Sequence, residues 1–109
     1  MHDESATGND YFKCDFCRAA WGEDLPMVEG HRGSLICVKC LTIAYAEVIR
    51  AGAGVPHEQV DNCTMCLSHR EDPHWRSPAY DDAVICRWCL ERAALMLAKD
   101  PETDWTPPT

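Results

Sequence analysis

Cys14-Asp15-Phe16-Cys17, nineteen intervening residues and Cys37-Val38-Lys39-Cys40 form a pattern that runs straight into an apolar segment from Leu41. The pattern returns as Cys63-Thr64-Met65-Cys66 and, again after nineteen residues, Cys86-Arg87-Trp88-Cys89. Each cysteine of the second set lies 49 positions after its counterpart, and the two sets use all eight cysteines of the chain. A C-x2-C turn presents two thiolates to one side of a metal, and a second turn closes a tetrahedron around Zn2+. Cys14, Cys17, Cys37 and Cys40 are therefore the expected ligands of one structural zinc. Cys63, Cys66, Cys86 and Cys89 are those of a second, giving two Zn2+ per chain.

The spacing also weighs against the alternatives. Four successive CxxC pairs suit metal better than a disulfide framework. Met1-His2-Asp3-Glu4-Ser5 has no secretory character, which implies a reducing, cytoplasmic setting with free thiols. A RING-like cross-brace generally keeps its middle ligand pairs close together, whereas 22 residues holding most of a helix separate Cys40 from Cys63. The repeat instead makes each half self-sufficient.

The 109 residues divide accordingly: a disordered tail at 1–10, a first repeat at 11–52, a linker at 53–61, a second repeat at 62–99, and an acidic, proline-rich tail at 100–109. Units of this size rarely bury enough apolar surface to fold alone, and metal-binding free energy then becomes folding free energy. The formal charge is −8. Four thiolates and one Zn2+ add two negative charges per site, which takes the loaded chain to about −12. Ten Lys/Arg scattered among eighteen Asp/Glu supply no basic face for phosphates, so nucleic acid is not an expected partner. No apolar run approaches about 18 residues, so no membrane span is expected.

Within the first repeat, Tyr11-Phe12-Lys13 reads as a short strand bringing an aromatic under the metal. Leu25, Met27 and Val28, a turn bracketed by Gly30 and Gly33, and Ser34-Leu35-Ile36 read as a hairpin. Leu41, Ala44, Tyr45 and Val48 then recur at helical spacing, and glycines with Pro56 end the helix. The second repeat follows the same plan through Val84-Ile85 and the stripe Leu90, Ala93, Ala94, Leu97, which Asp100-Pro101 stops. His31 reads as a surface histidine. His69 and His74, which flank Glu71-Asp72, read as part of a solvated loop rather than a mixed metal site. Trp105 reads as part of a mobile tail.

The first repeat resembles the four-cysteine zinc-binding domain of the ClpX chaperone ATPase. It shares the C-x-F-C turn, the glycine turn, the apolar strand ending in Ile36-Cys37-Val38-Lys39-Cys40, and the apolar helix. The second keeps the cysteines, Ile85 and the helix, but has Met65 for the aromatic and lacks the glycine turn. The resemblance implies a treble-clef fold: a knuckle, a β-hairpin, and a helix whose first turn carries the last two ligands. It also implies dimerisation and the capture of adaptors or substrates. The chain has no G-x-x-x-x-G-K-[ST] phosphate loop and no room for an ATPase domain, which leaves a binding module.

The expected fold is thus small α+β and zinc-stabilised, with two tandem treble clefs. The apolar stripes, widened by Ile43, Ile49, Leu95 and Met96, point to the repeats packing on each other as a pseudo-dimer, or to a homodimer of tandems. The expected function is protein–protein interaction, as an adaptor or regulator related to chaperone or protease substrate recognition. Trp21, Trp75, Trp88 and Trp105 are candidate contact residues. A redox-sensitive zinc switch and a nucleic-acid-binding regulator are the alternatives. An enzyme is not expected, because two complete four-cysteine sets leave no open metal position.

Overall fold

The computed structural model describes residues 11–108. The tail expected at 1–10 lies outside the described residues. Six regular elements follow the repeat: β1 (Met27–Glu29), β2 (Leu35–Cys37), α1 (Val38–Tyr45), β3 (His74–Arg76), β4 (Val84–Cys86) and α2 (Arg87–Lys99). β1 pairs antiparallel with β2, placing Met27 opposite Cys37, and β3 pairs antiparallel with β4, placing His74 opposite Cys86. The architecture is α+β, with two hairpins, two helices and a four-cysteine cluster in each half.

Both helices start where a ligand cysteine ends a strand. Cys37 and Cys86 have extended backbones, and their Sγ atoms accept the N–H groups of Cys40 and Cys89. The thiol thus serves as the N-cap, a task usually given to an oxygen side chain. Carbonyl oxygens of two prolines complete the junctions: Pro26 accepts from Val38 N–H (2.9 Å), and Pro73 from Arg87 N–H (3.0 Å). α1 continues as a π-helical turn over Ala46–Arg50, and Gly52 follows at φ +67°, a left-handed conformation that favours glycine. α2 runs unbroken to Lys99.

The hairpins differ although the nineteen-residue interval is shared. The turn spans 30–34 in the first and 77–83 in the second, and β3 begins correspondingly closer to its knuckle. The linker is not a plain spacer. Val55 and His74 exchange both backbone hydrogen bonds (2.8 and 3.0 Å), and Val60 is buried.

The helix faces expected from periodicity are buried. Leu41, Ala44 and Val48 are at most 1% exposed, and Leu90, Ala93, Ala94 and Leu97 at most 3%. Tyr45 is only half-buried. α1 packs against α2, β1 also touches α2, and residues of both halves join one apolar core. The aromatic beneath the first knuckle is Phe16, 1% exposed and stacked at 5.7 Å from Trp75; Phe12 lies at the surface. Ile43, Leu95 and Met96 remain exposed, so the contact between halves does not cover the whole apolar excess of the helices.

Each knuckle receives the other repeat's hairpin. His31 N–H donates to the Met65 carbonyl (2.7 Å), and Ser77 Oγ donates to the Phe16 carbonyl (2.5 Å). Phe16 and Met65 are equivalent positions, 49 apart, so the docking is reciprocal. The first contact requires a bare backbone at Gly30, where a Cβ would come within 2.6 Å of the Met65 carbonyl oxygen. Trp105, expected in a mobile tail, packs against the core and donates from Nε1 to Thr42 Oγ1 at 3.0 Å. Its indole covers α1 while its polar tip finds a partner.

Gly30→Ala is expected to destabilise the protein by about 1–3 kcal/mol, because the added methyl meets the Met65 backbone, which cannot swing aside, as well as the Ser34 hydroxyl. Gly22→Ala, where a Cβ meets nothing within 4 Å, is the control. Denaturant melts of the two variants check this: equal midpoints would contradict the close docking.

Candidate metal centres

Both centres are built by the same backbone route. Arg18 N–H donates to the Cys14 carbonyl (2.9 Å) and Leu67 N–H to the Cys63 carbonyl (2.8 Å), which curls each CxxC pair. Arg18 and Leu67 follow their turns at φ 65° and φ 62°. Left-handed non-glycine residues cost of order 1–3 kcal/mol each and persist only where the surroundings impose them. The knuckle then fastens to the hairpin. Asp15 N–H bonds the Leu35 carbonyl (2.9 Å) and Thr64 N–H the Val84 carbonyl (2.8 Å). Asp15 Oδ2 and Thr64 Oγ1 return the bond by accepting Leu35 and Val84 N–H. The spacing of cysteines did not reveal this pair. The signal was an oxygen-bearing side chain directly after the first cysteine of each set.

The thiols converge as the spacing requires. Sγ atoms of Cys14, Cys17, Cys37 and Cys40 lie within 4.8 Å of one another, as do those of Cys63, Cys66, Cys86 and Cys89. Cys14–Cys40 and Cys17–Cys37 are 3.8 and 3.7 Å apart, and Cys63–Cys89 and Cys66–Cys86 are 3.8 and 3.9 Å. A regular tetrahedron of sulfurs about 2.3 Å from a central ion has edges of about 3.8 Å. A disulfide needs about 2.05 Å, so these thiols are spaced for a shared cation and not for bridges. The soft, all-sulfur tetrahedron suits Zn2+ or iron.

A ring of N–H groups surrounds the sulfurs. Cys14 Sγ accepts from Phe16 and Cys37 N–H (both 3.3 Å), and Cys37 Sγ from Cys40 N–H (3.5 Å). Cys63 Sγ accepts from Met65 (3.3 Å) and Cys86 N–H (3.4 Å), and Cys86 Sγ from Cys89 N–H (3.4 Å). These donors spread the negative charge that four thiolates concentrate. Hydrogen bonding with the Cys37 and Cys40 thiols outweighs burial and pulls Cys14 down to about 2. Hydrogen bonding with Cys14 pushes Cys37 up to about 12 and raises Cys40 further. Cys63 is lowered in the same way by Cys86 and Cys89; Cys86 rises to about 12, and Cys89 is raised too. In each cluster one thiol is shifted toward the charged form and two are shifted toward the protonated form. Four thiols gathered in this way could hold a divalent cation in place of protons.

The clusters are alike in ligands and unlike in surroundings. Cys17 is exposed, whereas Cys66 is half-buried. The guanidinium of Arg70 feels the second cluster's charge, its pKa raised chiefly through Cys66. The equivalent residue of the first repeat is Trp21, which carries no charge. Among the described residues, no other group of three or more His, Cys, Asp or Glu side chains converges this way. His74 is fully buried and its Nδ1 bonds the Asp72 carbonyl, while His69 lies near His57, so they share no site.

Two outcomes test the centres. Metal analysis should give two ions per chain, and acidification should release them, since protons compete for each thiolate. Alkylation of the metal-loaded protein with N-ethylmaleimide, mapped by mass spectrometry, should label Cys17 first, ahead of Cys66. Uniform labelling, or labelling that begins at Cys66, would contradict the difference in surroundings.

No protein-family model, curated protein or solved structure matches this chain significantly.

Proposed function

We propose that the chain is a protein-interaction module whose two tandem treble clefs each hold one structural Zn2+ and pack as a pseudo-dimer. The observation that carries this reading is the pair of closed four-thiol clusters, each ringed by N–H donors at matching positions. Four sulfurs fill a zinc tetrahedron and leave no position for a substrate, so the metal's work is to fold the chain. The pseudo-dimer is supported by the reciprocal docking of hairpins on knuckles and by the contact of α1 with α2. The resemblance to the zinc-binding domain of ClpX-type unfoldases supports an adaptor or regulator role near chaperone or protease substrate recognition.

A protein partner also fits the surface. Trp21 and Trp88 are each 39% exposed, and Ile43, Leu95 and Met96 about half exposed, which leaves large apolar side chains at the surface to meet a partner. The charge of −8 disfavours nucleic acid. A second reading, a redox-sensitive zinc site, is favoured by the exposed Cys17, since oxidation of one ligand would release the ion.

The test combines folding with binding. Chelation should unfold both repeats together, and the zinc-loaded chain, unlike the chelated one, should retain a protein partner in affinity capture followed by cross-linking. Leu41→Asp, which puts a carboxylate at a fully buried position, should cost roughly 3 kcal/mol or more and broaden the NMR resonances of both repeats. Independent melting of the repeats would overturn the pseudo-dimer. Tight, salt-sensitive binding of duplex DNA would overturn the choice of partner.

A further inference from the structure

A cleft of about 240 Å³ opens where the first hairpin meets the second knuckle and α2. Its apolar lining comes from Val28 of β1, Met65 of the knuckle, and Ala93 and Met96 of α2. Glu29, Gly30 and His31 stand on the side of the first repeat, Trp88 and Arg92 on that of the second, and Cys66 contributes to the wall. The cleft exists only because the repeats are docked, the His31–Met65 backbone bond fixing its two sides.

Trp88 carries two cations. The Arg70 guanidinium lies 3.9 Å from its ring centroid and the Arg92 guanidinium 4.5 Å. Arg92 is exposed and, among the described residues, has no carboxylate partner, whereas the Arg70 guanidinium is held by the Cys66 thiol of the second cluster. Arg87 nearby, by contrast, is paired with Glu91 at 2.9 Å. In a chain of charge −8, Arg92 is an exposed cation that no carboxylate answers, held against an exposed indole. Stacking on the ring holds its guanidinium in place and leaves its N–H edge to meet a planar anion. On the equivalent face of the first knuckle the longer second hairpin brings Tyr80 against the core, with the Arg18 guanidinium 4.2 Å from its ring. There the protein supplies its own aromatic–guanidinium contact.

We propose that this cleft, a refinement of the interaction-module reading on which it rests, binds an extended peptide of a partner protein in which a carboxylate side chain stands beside a bulky apolar one. The apolar side chain enters between Val28, Met65, Ala93 and Met96, and the carboxylate meets Arg92. The single acidic lining residue, Glu29, lies on the opposite repeat, which orients the carboxylate toward α2. Occupation covers Cys66, so the partner also shields the second metal centre.

The probe is a synthetic hexapeptide of alternating aspartate and leucine, titrated into the zinc-loaded full chain and followed by NMR. Saturable shifts should centre on the Trp88 indole, Met65 and Ala93, and the asparagine–leucine counterpart should bind about tenfold more weakly. Arg92→Gln, an exposed change that leaves the fold intact, should weaken binding by a similar factor, as should Trp88→Ala. Equal binding of both peptides, no saturable shift, shifts centred on Phe12 and Trp21, or self-association through Trp88 seen by sedimentation would each overturn the proposal. A captured partner protein whose binding is indifferent to Trp88→Ala would overturn the cleft while leaving the interaction module standing. Loss of every protein partner from the folded, zinc-loaded chain would remove the module itself.

Discussion

Everything in this molecule depends on convergence of four sulfurs at a point that the chain alone cannot stabilise cheaply. Packing four thiolates within 4.8 Å of one another concentrates charge, and their mutual hydrogen bonds push one thiol toward the charged form and two toward the protonated form. The fold answers with backbone N–H groups directed at sulfur, a left-handed residue after the first CxxC pair of each set, and helix starts capped by the first cysteine of the second pair. A positive helix terminus and a ring of amide donors favour the same negative charge that a divalent ion binds. Local backbone geometry and metal chemistry therefore ask for one arrangement, and that agreement compensates for very short strands.

The second level of organisation is the docking of one repeat on the other. Neither hairpin could bury its outer face alone, and each uses the other repeat's knuckle carbonyl as its anchor. The consequence is a single core in which Phe16 of one half meets Trp75 of the other. Damage at one four-cysteine cluster would then be transmitted through packing, because its knuckle is also the platform for the opposite hairpin. The first hairpin needs glycine at position 30 to approach its knuckle, and the docking is not symmetric in detail: a backbone N–H makes one bond and a serine hydroxyl the other.

Much of the candidate site was legible from cysteine spacing, since the gathering of four cysteines within each half and the helix after the second pair both follow from the repeated pattern. The buried stripes of both helices were legible from their periodicity, and Val84-Ile85 from its match to Leu35-Ile36. Three features were not. The burial of Phe16 in place of Phe12 depends on which side of the knuckle faces the other repeat, a tertiary fact. Trp105 settles on Thr42 across 63 positions of sequence, which composition read as tail. Arg92 lies one helical turn from Trp88 and could have been inferred from that spacing, but Arg70 reaches the same ring from a loop and could not. Long-range contacts between a loop and a helix leave no periodic trace.

The pairing of Val55 with His74 has a consequence for how such a protein could be cut apart. The cysteine period marks the repeating unit, yet the residue that pairs with β3 comes from upstream of the second unit's first cysteine. The joining segment is thus part of the sheet of the repeat that follows it. The second repeat borrows an edge from the chain that delivers it, so the seam between the units is a hem folded into the fabric, and a cut made close before Cys63 would take that edge away.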